Sequence, residues 1–227
     1  MSKTAIIRQL RSLTDEAIIF LSGGKDSIAT LLLAKQFGFK LFPVMYTSVE
    51  LKFQADYREF MQRRFDIKIT LYPHPDYFYA RQTGRYMEAE PDIKKLKFQE
   101  LEMAARDESG MQWIIGGEKK MDSLQRRGML SACQGIDHNR VRAFPLSEWS
   151  DRDVFALLKM HRLPIPSDYL LFGSSFGGMT RPDIMWSIRE YFPEDFQRLV
   201  DVYPLVESSA IKHEMFLRAL GRRYDKD

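Results

Sequence analysis

This chain of 227 residues has little cysteine, little net charge and no long apolar segment. Its single cysteine, Cys133, excludes an intrachain disulfide framework and any zinc or iron–sulfur site built from several cysteines of this chain. The net charge is only +3, so bulk charge does not indicate a nucleic-acid-binding protein. No apolar run reaches the ~18 residues of a membrane span, and the first residues lack the continuous apolar core of a signal peptide. We therefore expect a cytoplasmic protein without a membrane partner.

The most informative segment is a glycine turn between an apolar run at residues 17–21 and a helical pattern: Ser22, Gly23, Gly24, Lys25, Asp26 and Ser27. Glycine adopts positive φ and has no Cβ, so the N–H groups around Gly23 and Gly24 can converge on an anion at the positive end of the following helix. Lys25 adds a cation, Asp26 a magnesium ligand and Ser27 a hydroxyl. The spacing matches neither the P-loop nor the dinucleotide-binding pattern. It still predicts a phosphate site.

Short apolar runs alternate with helical patterns along most of the chain. Further strands are predicted at residues 40–47, 67–72 and 112–117, and helices near residues 28–37, 53–65 and 92–107. This alternation predicts an α/β fold with a doubly wound, mostly parallel sheet and helices on both faces. Ligands of such sheets bind at the carboxyl ends of the strands, which is where the glycine turn lies.

The pattern becomes mostly helical from about residue 148. Ser150 and Asp153 have the spacing of a capping box, and Thr180 and Asp183 repeat it. Two more helices are predicted at residues 194–202 and 205–220. We therefore predict a nucleotide-binding α/β domain at residues 1–147 and a helical C-terminal subdomain at residues 148–227, packed on the first domain.

The glycine turn resembles the Ser-Gly-Gly-x-Asp-Ser signature of the PP-loop ATP pyrophosphatase superfamily, whose fold is adenine nucleotide alpha hydrolase-like. Residues 117–126 are similar in spacing to the Gly-x-Arg-Arg-x-x-Ser-x-x-Arg segment of phosphoadenylyl-sulfate (PAPS) reductases. Residues 145–164 resemble that family's Pro-x-x-x-Trp-Ser, Asp-Val and His-Asn-Leu-Pro stretch, and residues 175–178 fall at its Ser-Ile-Gly-Cys. The resemblance covers residues 15–180 in the same linear order.

Several positions depart from the reductase pattern. Those enzymes attack sulfur with the cysteine of a C-terminal Glu-Cys-Gly-Leu-His, which this sequence lacks, so we expect no sulfite release by that route. Gly178 stands where a cysteine would be, and no iron–sulfur cluster is expected. Lys119 and Lys120 replace arginines, and a lysine offers no planar fork to a phosphate. We interpret Cys133 as structural, with a relocated nucleophile or sulfur carrier as the alternative.

The resemblance implies that ATP, or a related adenylyl compound, binds at the glycine turn with Mg²⁺. Lys25 would stabilise the leaving pyrophosphate, and Asp26 would hold the metal. Lys119 and Arg126 would neutralise the anionic end of the nucleotide or substrate. We therefore predict these four side chains as the catalytic groups.

The remaining nucleotide contacts are predicted further along the chain. Adenine is expected on backbone groups near Thr47 and Gly116, with Val44 or Tyr46 as an apolar wall. Gly117 and Ser123 complete the predicted nucleotide-binding set.

Three functions remain open from the sequence. The first is an enzyme that cleaves ATP between the α and β phosphates and adenylates or modifies an acceptor. The sequence resembles stand-alone reductase-like proteins of phages and mobile elements, and this resemblance favours a nucleic acid as the acceptor. The second is a PAPS-binding enzyme that takes its thiol from a partner. The third is a nucleotide sensor without turnover. A protein partner that supplies a thiol or targets DNA, and a homodimer, are the assemblies left open.

Overall fold

A computed structural model of the chain describes residues 3–165, 169, 172 and 181–221, and within them a six-stranded sheet has the order β3-β2-β1-β4-β6-β5. The strands are β1 (Glu16–Leu21), β2 (Lys40–Thr47), β3 (Thr70–Pro73), β4 (Ile114–Ile115), β5 (Ile136–Asp137) and β6 (Arg142–Ala143). Strand β1 pairs in parallel with β2 and β4, and β4 pairs in parallel with β6. Only β5 is antiparallel to its neighbour β6 among the pairings described. The predicted, mostly parallel α/β sheet is therefore confirmed.

Helices connect and follow these strands. They are α1 (Ala5–Leu13), α2 (Lys25–Gln36), α3 (Lys52–Phe65), α4 (Pro75–Thr83), α5 (Phe98–Ser109), α6 (Leu124–Ala132), α7 (Asp151–Met160), α8 (Pro182–Tyr191), α9 (Pro193–Val202) and α10 (Glu207–Ala219). Helices α4, α8 and α9 each have a proline in the first turn, where its missing N–H costs no hydrogen bond. The predicted motif at residues 175–178 and the predicted cap at Thr180 lie outside the described residues. No helix in the described ranges is long and apolar enough to cross a membrane.

Contacts divide the described residues into two compact units that interleave along the chain. The first unit lies within residues 1–47, 56–72 and 98–167, and the second within residues 48–55, 73–97 and 168–227. This grouping differs from the predicted division at residue 147, because α7 shares an apolar core with α2 and belongs to the first unit.

Helix α2 is enclosed in the core of the first unit. Its buried residues run from Ile28 to Ala34 without a break, which is typical of a helix covered on several sides. Leu31 of α2, Ile19 of β1 and Leu158 of α7 are each at most 1% exposed and lie in one apolar cluster. Burial of such a side chain contributes about 1.5–3 kcal/mol. The packing therefore holds the N-terminus of α2 firmly against the carboxyl end of β1.

Aromatic side chains at β1 and β2 contact α5. The rings of Phe20 and Tyr46 stack with centroids 5.1 Å apart and planes inclined by 12°. The edge of Phe98, the first residue of α5, lies against Tyr46 at 5.3 Å. Burial, with a smaller effect of Glu102, raises the pKa of Tyr46 above its ordinary value. This phenol therefore stays neutral and completes the apolar stack.

The second unit contains α4, α8, α9 and α10 around its own apolar core. Its buried residues include Ile184 and Ile188 of α8, Leu199 of α9 and Ala210 of α10. The backbone N–H of Lys52 donates to the buried Asp195 carboxylate at 2.6 Å. This unit carries none of the residues predicted for the nucleotide site.

Candidate functional site

The glycine turn joins the carboxyl end of β1 to α2. Gly23 has φ +75°, and a Cβ there would lie 3.3 Å from Cε of Met45. Gly24 is the N-cap of α2 in an extended conformation, with φ −81° and ψ 159°. Positive φ, expected around both glycines, is therefore found at Gly23 alone of the two. The turn requires glycine at position 23 for its backbone geometry.

Two serines brace this turn. The hydroxyl of Ser22 accepts the N–H of Gly24 at 3.3 Å, and the hydroxyl of Ser27 donates to the Gly24 carbonyl at 2.8 Å. Helix α2 begins at Lys25, so the positive end of its dipole faces the turn. Both predicted serines thus hold the loop in shape.

Behind the turn lies an ion cluster, which comprises Lys25, Asp26, Lys119, Asp122, Arg126 and Asp151. Its centre is Lys119, whose side chain is only 1% exposed. The Lys119 ammonium lies 2.6 Å from Oδ1 of Asp26, 3.2 Å from Oδ1 of Asp122 and 3.1 Å from Oδ1 of Asp151. A buried ammonium needs such partners because removal from water is costly.

Lys25 is the second buried cation of the ion cluster. Its side chain is 7% exposed, and Nζ lies 2.8 Å from Oδ2 of Asp26 and 3.1 Å from Oδ1 of Asp151. The same ammonium lies 5.9 Å from the centre of the Phe155 ring. Asp26 and Asp151 therefore each bridge the two lysines.

The outer carboxylates are held in their charged form. Burial raises the pKa of Asp122, but hydrogen bonds from the backbone N–H and ammonium of Lys119, with one from Arg126, outweigh it and lower the pKa below its usual range. Partial desolvation raises the pKa of Asp151, and hydrogen bonds from Lys119 and Lys25 again lower it overall. The Arg126 guanidinium lies 2.7 Å from Oδ2 of Asp122. Arg126 thus joins the ion cluster through Asp122.

Glycine brings the Lys119 segment close to the turn. A Cβ on Gly117 would lie 3.1 Å from Oγ1 of Thr30 and 3.2 Å from the carbonyl carbon and oxygen of Asp26. The strand that precedes it, β4, lies next to β1 in the sheet, with Ile115 opposite Ile19. The chain after β4 therefore passes directly against the first turn of α2, and this approach carries Lys119 to Asp26.

Three of the predicted nucleotide contacts lie at strand or helix ends. Gly116 directly follows β4, and its N–H donates to the Ala143 carbonyl at 2.9 Å. Thr47 ends β2, the strand beside β1. Ser123 is the N-cap of α6 and accepts the N–H of Arg126 at 3.1 Å. Ser123 thus touches the ion cluster only through the backbone of Arg126 among the contacts described. The nucleotide contacts of Thr47, Gly116 and Ser123 stay predictions.

Sequence reasoning missed two members of the ion cluster, Asp122 and Asp151. Asp122 lies three residues after Lys119, and this spacing was the only local signal for it. Asp151 lies one residue after the predicted cap Ser150, so a helix N-terminus was the only sign of it. Cys133 is the C-cap of α6, is partly buried, and lies with Sγ 3.8 Å from the Leu130 carbonyl.

The side chains at the glycine turn fit a magnesium ion that also binds substrate phosphate, and not one held by protein ligands alone. Both oxygens of Asp26 accept from lysine ammonium groups. Within the described ranges, no three carboxylate, histidine or cysteine side chains are grouped to hold a metal ion. Mg²⁺ usually takes one or two carboxylates together with substrate phosphates, so a full protein cage is not required. Asp26 as its ligand stays a prediction.

Comparison with known proteins agrees with this architecture. The profile of the phosphoadenosine phosphosulfate reductase domain matches residues 16–182. The chain belongs to this family. The matched range contains the glycine turn and every member of the ion cluster, so the predicted resemblance to PAPS reductases is confirmed. A search of the curated proteins finds no significant match.

Three solved structures that match this chain have low sequence identity to it. The U34-tRNA thiolase NcsA from Methanococcus maripaludis, with its 4Fe–4S cluster, is 14% identical with a TM-score of 0.49, over 90% of this chain and 80% of that one. The PAPS reductase from Candida auris, a phosphate complex, is 14% identical with a TM-score of 0.49, over 76% and 85%. The NH3-dependent NAD synthetase from Campylobacter jejuni subsp. jejuni is 14% identical with a TM-score of 0.43, over 94% and 97%.

Proposed function

We propose that this member of the PAPS reductase domain family is a PP-loop enzyme that cleaves ATP between the α and β phosphates. The observation that carries the proposal is the convergence of two buried ammonium groups, Lys25 and Lys119, at the glycine turn and the N-terminus of α2. Cationic side chains and a helix N-terminus favour a polyphosphate at this place.

The chemistry is an in-line transfer at the α phosphorus. An oxygen of the acceptor forms a bond to that phosphorus, while the bond to the oxygen that bridges to the β phosphorus breaks. The electron pair leaves with pyrophosphate, and the acceptor gains an adenylyl group. Lys25 and Lys119 would stabilise the charge that develops on pyrophosphate, since preorganised cations in a buried site act strongly there. Bound Mg²⁺ would neutralise further phosphate charge.

We extend the proposal to nucleic acid as the acceptor. Helix α6 begins beside the ion cluster, and its first turns expose Arg126 and Arg127 together with Leu124, which is 82% exposed. Exposed arginines bind the phosphates of a nucleic-acid backbone, although they carry no sequence preference by themselves. A protein partner that brings this acceptor to the site belongs to the same proposal.

Calorimetry and product analysis test the proposed reaction. Titrations with ATP, adenylyl sulfate and PAPS, each with and without Mg²⁺, should show ATP binding at least as well as PAPS. Chromatography of ATP incubated with the protein and a nucleic-acid acceptor should yield pyrophosphate and AMP or adenylated acceptor. ADP and inorganic phosphate as products would contradict the proposal, because they report cleavage between the β and γ phosphates.

Family membership favours one further function, a PAPS-binding enzyme that takes its thiol from a partner. The only cysteine of the sequence, Cys133, caps α6 and contacts the Leu130 carbonyl. Sulfite release from PAPS would then require an added protein thiol. Tighter binding of PAPS than of ATP, with such release, would support this function over ATP cleavage. Nucleotide binding without any turnover would instead favour a sensor.

A further inference from the structure

The three carboxylates of the ion cluster differ in exposure. The Asp151 side chain is 64% exposed, whereas those of Asp26 and Asp122 are 27% and 20% exposed. All three contact the same buried ammonium of Lys119. Asp151 is therefore the member that can leave the ion cluster for solvent at the lowest cost.

The surroundings of Asp151 attract an anion from two directions. Helix α2 begins at Lys25 and helix α7 begins at Asp151, so two positive helix ends meet beside two buried ammonium groups. One oxygen, Oδ1 of Asp151, lies 3.1 Å from Nζ of Lys25 and 3.1 Å from Nζ of Lys119. A single anionic oxygen between two lysines is the arrangement that a phosphoryl oxygen would adopt here.

We propose that Asp151 is an internal competitor for the phosphate site, and that a bound polyphosphate displaces its carboxylate from Lys25 and Lys119. This inference rests on the proposed function, because it concerns the same two lysines. Asp151 thereby determines which anions bind. An anion displaces the carboxylate only if it brings more negative charge to Lys25 and Lys119 than the carboxylate does. A pyrophosphate group meets that condition far better than sulfate.

The hydrogen bonds of the other carboxylates explain why Asp151 is the one displaced. Asp122 accepts from the backbone N–H of Lys119 at 3.0 Å and from Arg126 at 2.7 Å, in addition to the Lys119 ammonium. Asp26 accepts from both lysines at 2.8 Å or less and lies in the first turn of the enclosed helix α2. Asp151 lies at the first position of α7, where its charge is favourable even after the side chain turns to solvent.

The lowered pKa of Asp151, in which the effect of its lysine partners outweighs that of partial desolvation, supports competition by a charged carboxylate. An asparagine at this position keeps the size of the side chain and removes the charge. It should therefore open the site to anions without a change in shape.

Calorimetry with inorganic pyrophosphate compares the wild-type chain with Asp151→Asn and the control Glu148→Gln. Glu148 lies 2.5 Å from Lys120 and is half-exposed, so its replacement removes one nearby negative charge without touching Lys25 or Lys119. Asp151→Asn should bind pyrophosphate about tenfold more tightly, the effect of removing one charge-assisted competitor. Glu148→Gln should bind pyrophosphate as wild type does. The affinity for sulfate should rise by a larger factor in Asp151→Asn than the affinity for pyrophosphate.

Equal or weaker pyrophosphate binding by Asp151→Asn would overturn the inference, and so would binding to none of the chains. Weaker binding would mean that Asp151 orients the lysines for the ligand. Circular dichroism checks folding, and Asp151→Ala, which keeps a good helix former in α7, replaces the asparagine variant if that one does not fold. Product analysis with ATP on the same chains separates the two proposals, because a tighter pyrophosphate site without cleavage at the α phosphate overturns only the proposed reaction.

Discussion

The Lys119 ammonium lies 2.6 Å from the Asp26 carboxylate, although 93 positions separate the two residues along the chain. Asp26 lies in the first turn of α2, the helix that follows β1, and Lys119 follows β4, the strand beside β1. Parallel pairing places the carboxyl ends of these strands at one edge of the sheet. The strand order therefore brings the distant Lys119 to the glycine turn.

Replacement of Lys119 should lower the stability of the fold. Lys119→Met leaves three carboxylates facing each other around a 1% exposed site, so the free energy of unfolding should fall by about 3–5 kcal/mol. Urea denaturation measures this change. Lys120→Met is the matched control, because Lys120 pairs with the half-exposed Glu148. This replacement should lower the free energy of unfolding by less than about 1 kcal/mol. Similar costs for the two variants would contradict a buried, central Lys119.

Lys25→Ala should weaken ATP binding by about 1–3 kcal/mol, the value for one charge-assisted hydrogen bond, while the fold is kept. Asp26 retains its contact with Lys119 in this variant, so the carboxylate is not left uncompensated. Because the site is largely buried, the loss should change little with ionic strength. Calorimetric titration at two salt concentrations measures it. Unchanged affinity and turnover would place the phosphates elsewhere.

Gly117→Ala should lower nucleotide affinity, because its Cβ would lie 3.2 Å from the Asp26 backbone and push the first turn of α2 away. Gly128→Ala is the matched control, since a Cβ there meets nothing within 4 Å and the residue lies inside α6. Alanine in that helix should raise stability by about 0.5–1 kcal/mol without a change in affinity. Thermal unfolding and titration of both variants measure the effects. Equal affinities would show that the close approach at Gly117 is not needed.

Stability should decrease in acid through Asp153. The Lys3 ammonium, with the N–H and hydroxyl of Ser150, lowers the pKa of Asp153 to about 2 from 3.8. A lowered folded pKa contributes stability above the unfolded value, and this contribution is lost as the pH falls from 3.8 through about 2. Asp153→Asn should therefore be less stable than wild type at neutral pH, with a difference that shrinks across that interval. Urea titrations at several pH values measure it, and a constant difference would contradict the assignment.

Cys133→Ser should leave nucleotide affinity unchanged and activity nearly so. The thiol is partly buried at the end of α6 and contacts only a backbone carbonyl among its described hydrogen bonds. Calorimetry and the pyrophosphate assay measure both properties. Sulfite release from PAPS by the isolated chain with a thiol donor, abolished by this substitution, would instead make Cys133 a nucleophile.

Local patterns were sufficient for the elements nearest the site. The apolar run and glycine turn predicted β1 and α2, although α2 begins at Lys25, three residues earlier than predicted. Strand β2 has the predicted bounds, and the capping box at Ser150 and Asp153 has both of its hydrogen bonds. In each case the signal lies within a few residues, because backbone conformation and caps depend on near neighbours.

Weak local signals account for the elements that were missed or misplaced. Strands β5 and β6 have two residues each, too short for a periodic pattern. Helix α5 begins at Phe98, although the prediction began it near residue 92, and β4 covers only residues 114–115 of the predicted 112–117. The short helices α1, α4 and α6 were not predicted.

The amino-acid sequence by itself determined the glycine turn, the type of fold and the family. Only the tertiary structure decided that Lys119 is buried, that Asp122 and Asp151 surround it, and that Arg126 reaches the ion cluster through Asp122. The reason is physical. The strand order and the packing of α7 on α2 bring distant segments together, and ion pairs form where they meet. A charged residue in the sequence does not indicate which distant residue it will contact.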